Sequence, residues 1–507
     1  MGRQRVFLTG ATGTMGFLGM QELLKDKGEL DLVVLARPSD RNKRILAPFE
    51  PKGLEIVWGD LTSYEDVKKG VKDADIVLHV GAFVSPQADY HPKTAMEINY
   101  GSTARIIKAM QELGQEEKTK LVYIGTVAET GDRLPPIHWG RIGDPLKPSI
   151  YDYYAVSKVA AERCVIESGL PGWVSLRQTG IIGPAMAAIE DAIMFHNCLD
   201  NVLEYVSDRD SAILLRNLCA KERSKELGND FWQHIFNIGG GKSCRISTYA
   251  MYEQLFGAIG IKDLSNVLEM NWFATRNFHG HYYLDSDKLQ NFLHFRHDSI
   301  QYFYDAYLKS LGPVAYLSKF ITLFPGGQKA VGKAIKERFL KSARTEHGTV
   351  HFIEDDMLPQ IETYFGSRKE WEKILPAKDF KPYAKWDEFL NIDHGYDDTK
   401  PESTLTITDV KKAAEFRGGK CLSSNMATGD WKTKLAFRCG FGHEFKASPR
   451  LVLEGGHWCP ACERESWNYS SRAKIDPFFA QVWDPIHHKG EETQAIPKSV
   501  SELDVTI

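Results

Sequence analysis

Residues 6–16, VFLTGATGTMG, decide how this 507-residue chain is read. Val6, Phe7 and Leu8 run into a turn where Gly10, Gly13 and Gly16 stand three apart, with Thr12 and Met15 between them, and the helical pattern FLGMQELLKD follows. A strand that ends in such a turn and enters a helix aims backbone N–H groups at one point, and the missing side chains let a pyrophosphate come close. Outward from this turn, DLVVLAR, EIVWGD, the helical SYEDVKKGVK and ADIVLHVGA continue the alternation of short apolar runs with helical segments. Strands separated by such segments imply right-handed crossovers and a parallel sheet covered on both faces, a doubly wound α/β fold.

The length allows two or three domains. Apolar residues make up 43% and charged residues 26%, the usual balance of a globular protein. A net charge of −4 disfavours a chain that coats nucleic acid and leaves a small-molecule substrate as the expected partner, with a homodimer as an open alternative. MGRQRVFLTG enters a strand pattern without an apolar leader, and no later run reaches the ~20 apolar residues a bilayer needs, so a cytoplasmic protein is expected.

Further chemistry lies at the strand ends. Asp60, followed by Leu61, closes the third strand, where a carboxylate can meet an adenine edge; Val80, Gly81 and Ala82 close the fourth, beside the expected nicotinamide half. Downstream, in YDYYAVSKVAAER, Tyr154 alone of three tyrosines has a lysine four residues later, Lys158, on the same helical face. Carbonyl reduction needs a proton donor, and a tyrosine of ordinary pKa near 10 serves better when an ammonium stabilises its phenolate.

Together these segments resemble the extended branch of the short-chain dehydrogenase/reductases, the group of NAD-dependent epimerases, dehydratases and 3β-hydroxysteroid or dihydroflavonol reductases. The resemblance covers about residues 4–305. It is carried by TGATGTMG, GDL, EINYGST with Asn99, VYIGTVAETG, YAVSK, SLRQTGIIGP and FNIGGG. It implies that Thr126 hydrogen-bonds the reacting oxygen, that Tyr154 is the acid/base, and that Lys158 tunes it and holds the cofactor ribose. NAD-preferring members end the second strand with an acid. Here it ends VVLARPSDRNKR, and Arg37, with Arg41, Lys43 or Arg44, suits a 2′-phosphate; NADP(H) is expected, with NAD(H) as the alternative.

Sugar-nucleotide members carry an asparagine where this chain has Gly180, so a bulky, mainly apolar ketone or secondary alcohol is the expected substrate. Trp272, Phe273, Phe278, Tyr282 and Tyr283 are candidate pocket walls, and Arg276 and His279 candidate polar contacts. A sugar-nucleotide epimerase or dehydratase, and an NADP(H)-sensing regulator that touches nucleic acid, are the alternative functions.

Residues 306–400 read as a helical extension, with a break at Pro325–Gly326–Gly327, a basic run from Lys329 to Arg344, and a polar linker, DHGYDDTKPES. Membrane-surface association is a less favoured option for the basic helix. In the tail, 401–507, Cys439, His443, Cys459 and Cys462 have the C-x₃-H and C-x₂-C spacings of a closed structural zinc site; His457 is an alternative ligand. The scattered Cys164, Cys198, Cys219 and Cys244 read as buried thiols. GGKCLS, CGFGHEF and WCPAC are similar to the zinc-ribbon or treble-clef modules found beside homing-type endonuclease domains. The module is expected to fold as a core separate from the enzyme.

Overall fold

The computed structural model describes residues 2–187, 191–388, 390–465, 468–488 and 491. Its centre is a seven-stranded sheet: β1 (Gln4–Thr9), β2 (Leu30–Ala36), β3 (Leu54–Trp58), β4 (Ile76–His79), β5 (Lys120–Thr126), β6 (Trp173–Gln178) and β7 (His234–Ile238). The strands lie in the order β3-β2-β1-β4-β5-β6-β7, and every pair is parallel. The strand order reverses between β1 and β4, the crevice where doubly wound folds hold their ligands at the carboxyl ends of the strands.

Helices cover both faces, and side-chain caps fix where several begin. On one face α1 (Thr14–Leu23) and α5 (Asp208–Arg223) pack over Val6, Leu8, Leu32 and Val34. On the other, α2 (Tyr64–Val71), α3 (Gly101–Glu112) and α4 (Tyr153–Ile166) pack over Phe7, Val33, Val77 and Tyr123. Ser63 caps α2 by accepting from the Asp66 amide, and Asp152 caps α4 by accepting from the Ala155 amide. A third core, with Phe195, Tyr205, Tyr252, Phe256 and Phe273, builds the cap beside the strand ends. Onto it pack α6 (Gln301–Leu311), α7 (Pro313–Thr322) and α8 (Gly327–Ala343).

The tail departs from expectation. Its three-stranded sheet, β8 (Lys420–Cys421), β9 (Leu435–Arg438) and β10 (Glu444–Ala447), has no separate core. Val410, Phe437, Leu451, Val452, Leu453 and Trp458 are buried in one continuous cluster with Val165, Ile166, Trp173 and Ile235 of the large sheet's α2–α4 face. The reason is a bare sheet edge: past α4, β6 and β7 need an apolar lid on that face, and the tail supplies it.

Nor is the polar stretch 393–403 a free linker. His394 is buried and bonds Asp144 at 3.0 Å, while Arg141 bonds the Ile392 carbonyl and pairs with Asp398, both at 2.9 Å. KPYAKWDEFL, expected as a helix, has no helical residue among its described positions; Trp386 and Tyr383 instead pack against Tyr282 and His138.

Candidate active site and metal site

The turn after β1 is built as the sequence implies. Gly10 has φ +78, and a Cβ there would lie 2.7 Å from Gly81 Cα; a Cβ on Gly16 would lie 2.2 Å from the Gly10 carbonyl oxygen. Only glycine lets β1, the end of β4 and α1 meet this closely. Thr9 Oγ accepts from the Gly81 amide at 2.9 Å and bonds His79 Nδ1 at 2.9 Å, which fixes the two strand ends. Burial and the charge of Lys158 push His79 down to about 3, so it is neutral. Leu61 touches the Gly81 position, bringing the two groups of strand-end residues together.

Asp60 lies partly exposed at the end of β3, with Oδ1 accepting from the Thr62 amide and hydroxyl at 2.9 and 2.8 Å. Arg37 is exposed just past β2, where its carbonyl accepts from Asn42 Nδ2, and its guanidinium has no partner among the described residues. Asn99 is placed differently from a cofactor contact. It is buried, its amide oxygen accepts from the Phe83 amide and its amide nitrogen donates to the Phe83 carbonyl and Ser157 Oγ, so it clamps the loop after β4 to α4.

Thr126 ends β5, and its side chain lies near enough to the Tyr154 phenol to favour the phenolate. Tyr154 and Lys158 share one face of α4. Burial raises the Tyr154 phenol well above its ordinary range, against the lowering effect of Thr126, so it stays protonated at neutral pH. Lys158 is buried, donates to the Ile124 carbonyl at 2.7 Å and lies 4.2 Å above the Tyr123 ring. Burial pulls it down to about 8, partly offset by Glu129 and Glu162. Asp89 accepts from the Tyr154 amide at 3.0 Å, and burial together with Asp152 pushes it up to about 7.

Sequence reasoning missed what lies behind these groups. Glu129 accepts from the Thr126 amide at 3.0 Å while Thr126 Oγ accepts from the Ala128 amide, a reciprocal cap that fixes the threonine. Arg177 faces Glu129 at 3.2 Å and Glu162 at 2.6 Å, with all three side chains buried. Burial and the adjacent Glu162 push Glu129 well up; Glu162, despite its burial, is held well below the usual range by Arg177 and His457. Glu162 stands four residues past Lys158, a spacing that could have marked it. The sequence marks His457 only as an alternative metal ligand; its Nε2 instead reaches Glu162 at 3.0 Å.

Of the candidate substrate contacts, Trp272, Phe273, Tyr282 and Tyr283 are core residues, while Phe278 is partly buried and stacks on His279. Arg276 is a structural clamp that bonds the Thr363 and Glu362 carbonyls and pairs with Glu491. His279 bonds Asp152, the cap of α4, at 2.7 Å.

Cys439, His443, Cys459 and Cys462 converge. His443 Nδ1 lies 3.5, 3.5 and 3.4 Å from the three sulfurs, and Cys439 Sγ lies 3.9 Å from Cys462 Sγ. These are close to the edges of a tetrahedron around an ion with bonds of ~2.0–2.3 Å, so the four residues fit zinc. His457 is not part of the set; its ring nitrogens face Glu162 and Glu463. A second group, His234, Glu402 and Glu454, borders a cleft of about 520 Å³, but Arg450 sits among the three and neutralises them.

Residues 6–207 match the family model described as the NAD dependent epimerase/dehydratase family. The match spans about two fifths of the chain and takes in β1 to β6 of the seven-stranded parallel sheet. Among curated proteins, it is 28% identical to human 3 beta-hydroxysteroid dehydrogenase type 7 over 151 residues, 28% of this chain and 40% of that protein. It is 23% identical over 175 residues to a farnesyl-dihydroquinoline-oxide ketoreductase of Stigmatella aurantiaca, 34% of this chain and 48% of that protein. The chain thus spans less than half the length of these relatives. Among solved structures, dTDP-glucose 4,6-dehydratase DesIV of Streptomyces venezuelae, with NAD bound, is 20% identical with a TM-score of 0.48, covering 61% of this chain and 98% of that one.

Proposed function

We propose that the protein is an NADP(H)-dependent oxidoreductase that interconverts a ketone and a secondary alcohol on a bulky, mainly apolar small molecule. The observation that carries this is the placing of Thr126, at the carboxyl end of β5, beside a protonated Tyr154 that stands one helical turn from Lys158. The bound nicotinamide supplies hydride. Gly10, Thr12, Gly13, Met15 and Gly16 receive the pyrophosphate at the N-terminus of α1, Asp60 and Leu61 the adenine, and Val80, Gly81 and Ala82 the nicotinamide half. Arg37 faces solvent beside the ribose position and supplies charge for a 2′-phosphate. Tyr154 donates its proton to the carbonyl oxygen, Thr126 bonds the same oxygen, and Lys158 leaves the Ile124 carbonyl to hold the ribose and favour the phenolate.

Two observations favour carbonyl reduction over sugar-nucleotide chemistry. A Cβ at Gly180 would lie 2.9 Å from the Tyr205 ring, so an aromatic fills the space an asparagine would use. Val127 and Ala128, which follow Thr126, are buried and apolar, and Glu129 is spent on the Thr126 cap, so no acid stands free beside Thr126 for an elimination. Zinc bound by the four tail residues has a structural role here, because all four positions are protein ligands.

The test is a spectrophotometric screen of the full chain with NADPH and NADH against steroidal, aryl and acyl ketones alongside nucleotide sugars. The reading requires NADPH oxidation with an apolar ketone. Turnover of nucleotide sugars alone would replace it with epimerase or dehydratase chemistry.

A further inference from the structure

Helix α7, Pro313–Thr322, is inside out. The residues it turns to the protein are small or polar: Ala315, Ser318 and Thr322 are buried, and Ser318 Oγ donates to the Ile259 carbonyl at 3.0 Å. The residues it turns to solvent are large and apolar. Tyr316 is 79% exposed, Phe320 59% and Leu323 81%, with Leu317 and Phe324 more than half exposed. At 100° per residue Tyr316, Leu317, Phe320 and the C-cap Leu323 fall within about 120° of one another, opposite the three buried ones. Phe320 and Phe324 stack edge to face with ring centroids 5.2 Å apart, one aromatic surface facing outward. A globular protein that stood alone in water would place these faces the other way round.

The charge around the helix says what covers it. Between Ala306 and Lys336 the chain contains Lys309, Lys319, Lys329, Lys333 and Lys336 and no aspartate or glutamate. Lys309, Lys319, Lys329 and Lys333 are exposed. Lys319 lies on α7 itself, Lys309 on the helix before it and Lys329 on the helix after it. A ten-residue helix is half the length needed to span a bilayer, and among the described residues no helix is long and apolar enough to cross one. An apolar helix of this length, with exposed Lys309, Lys319 and Lys329 before, on and after it, suits the boundary between acyl chains and anionic headgroups.

We infer that α7 is an interfacial anchor, which seats the protein on an anionic lipid surface with Tyr316, Leu317, Phe320, Leu323 and Phe324 among the acyl chains and the lysines against the headgroups. The two parts of the attraction differ in their response to salt. The lysines provide an attraction that salt screens, and the apolar face one that it does not. The inference stands independently of the reaction, although a membrane surface is also where a bulky apolar ketone would collect.

The experiment is co-sedimentation of the full chain with vesicles of phosphatidylcholine alone and of phosphatidylcholine with 30% phosphatidylserine, at low and high salt. Light scattering in parallel gives the oligomeric state without lipid. The test variant is Leu317→Glu/Phe320→Glu/Phe324→Glu, whose three side chains face solvent, with thermal melting to verify its fold. A second variant, Lys319→Glu/Lys329→Glu, leaves the apolar face intact. Expected is binding to the serine-containing vesicles, weakened by salt, and reduced roughly tenfold or more in both variants with melting unchanged. Wild-type protein left in the supernatant with anionic vesicles would overturn the inference. So would equal binding by the triple variant, or a wild-type dimer that the triple variant converts to monomer, since a second copy would then cover the face.

Discussion

His457 Nε2 lies 3.0 Å from Glu162 Oε2, and this contact joins the turn that carries Cys459 and Cys462 of the candidate metal site to the helix that carries Tyr154 and Lys158. From Glu162 the chain of contacts runs through Arg177 to Glu129 and so to the Thr126 amide, with every member buried. Arg177 also donates to the Gly455 carbonyl at 2.6 Å, and Arg163 of the same helix donates to the Trp458 carbonyl at 2.6 Å and pairs with Glu463 at 2.8 Å. The tail is thereby part of the back wall of the candidate active site.

Removing Glu162 takes the closer carboxylate, at 2.6 Å, from the buried Arg177 and the partner from His457, and leaves only Glu129, at 3.2 Å, beside the guanidinium. Glu162→Ala is therefore expected to lose about 3–5 kcal/mol of stability, and His457→Phe, which removes one hydrogen bond and keeps an aromatic ring, about 1–3 kcal/mol. Urea denaturation of the full chain measures both. A Glu162→Ala protein as stable as wild type would show that the network carries no weight.

The metal prediction follows from the shared core. Elemental analysis of the purified full chain should find one zinc per chain, lost in Cys459→Ser together with order in the knuckle. A chain truncated at residue 400 would expose Val165, Ile166, Trp173 and Ile235, so it should aggregate or fail to bind NADPH. A soluble truncated chain with wild-type NADPH affinity would restore the picture of two independent cores.

Arg37 is exposed and free of partners among the described residues, so its removal should not disturb the fold. Arg37→Ala is expected to weaken NADPH binding by roughly 1.5–3 kcal/mol and leave NADH nearly unchanged, as read by fluorescence titration. Equal losses for the two nucleotides would assign Arg37 to the fold.

Lys158 gives the reaction its alkaline limb. With its pKa drawn down by burial to about 8, the ammonium is present below that pH and lost above it, and with it goes the group that favours the Tyr154 phenolate. The free-enzyme profile, kcat/KM for ketone reduction, should therefore fall as pH rises through about 8. Asp89→Asn removes a second group whose pKa burial and Asp152 bring near neutrality, up to about 7, and should leave that limb in place. A limb that moved or vanished in Asp89→Asn would belong to Asp89.

The sheet was legible because its signals are local. The strand runs ending at Thr9, Ala36, Trp58 and His79 each alternate with a helical pattern, and Gly10, Gly13 and Gly16 mark a turn where the backbone crowds. The convergence of Cys439, His443, Cys459 and Cys462 was legible for the same reason: their spacing is short and their chemistry narrow. What was not legible is long-range. No periodicity shows that Gly455 and His457 end beneath α4, nearly 300 residues away in sequence, or that Asp144 receives His394. Arg276 looked like a substrate contact because a lone cation in an aromatic stretch is conspicuous, and only the fold shows it bonded to the Glu362 and Thr363 carbonyls. The outward face of α7 was read as part of a basic amphipathic segment, since sequence alone does not say which side of a helix meets the protein.

The reductase reading rests on the Tyr154 hydroxyl, and Tyr154→Phe removes that single oxygen while keeping the ring in place on α4. The decisive measurement is NADPH oxidation by the full-length wild type and Tyr154→Phe with the same apolar ketone, together with NADPH affinity by titration. The account predicts unchanged affinity and a loss in turnover of about 10²-fold or more, because the proton donor alone is gone. Turnover by Tyr154→Phe within a few-fold of wild type would contradict it.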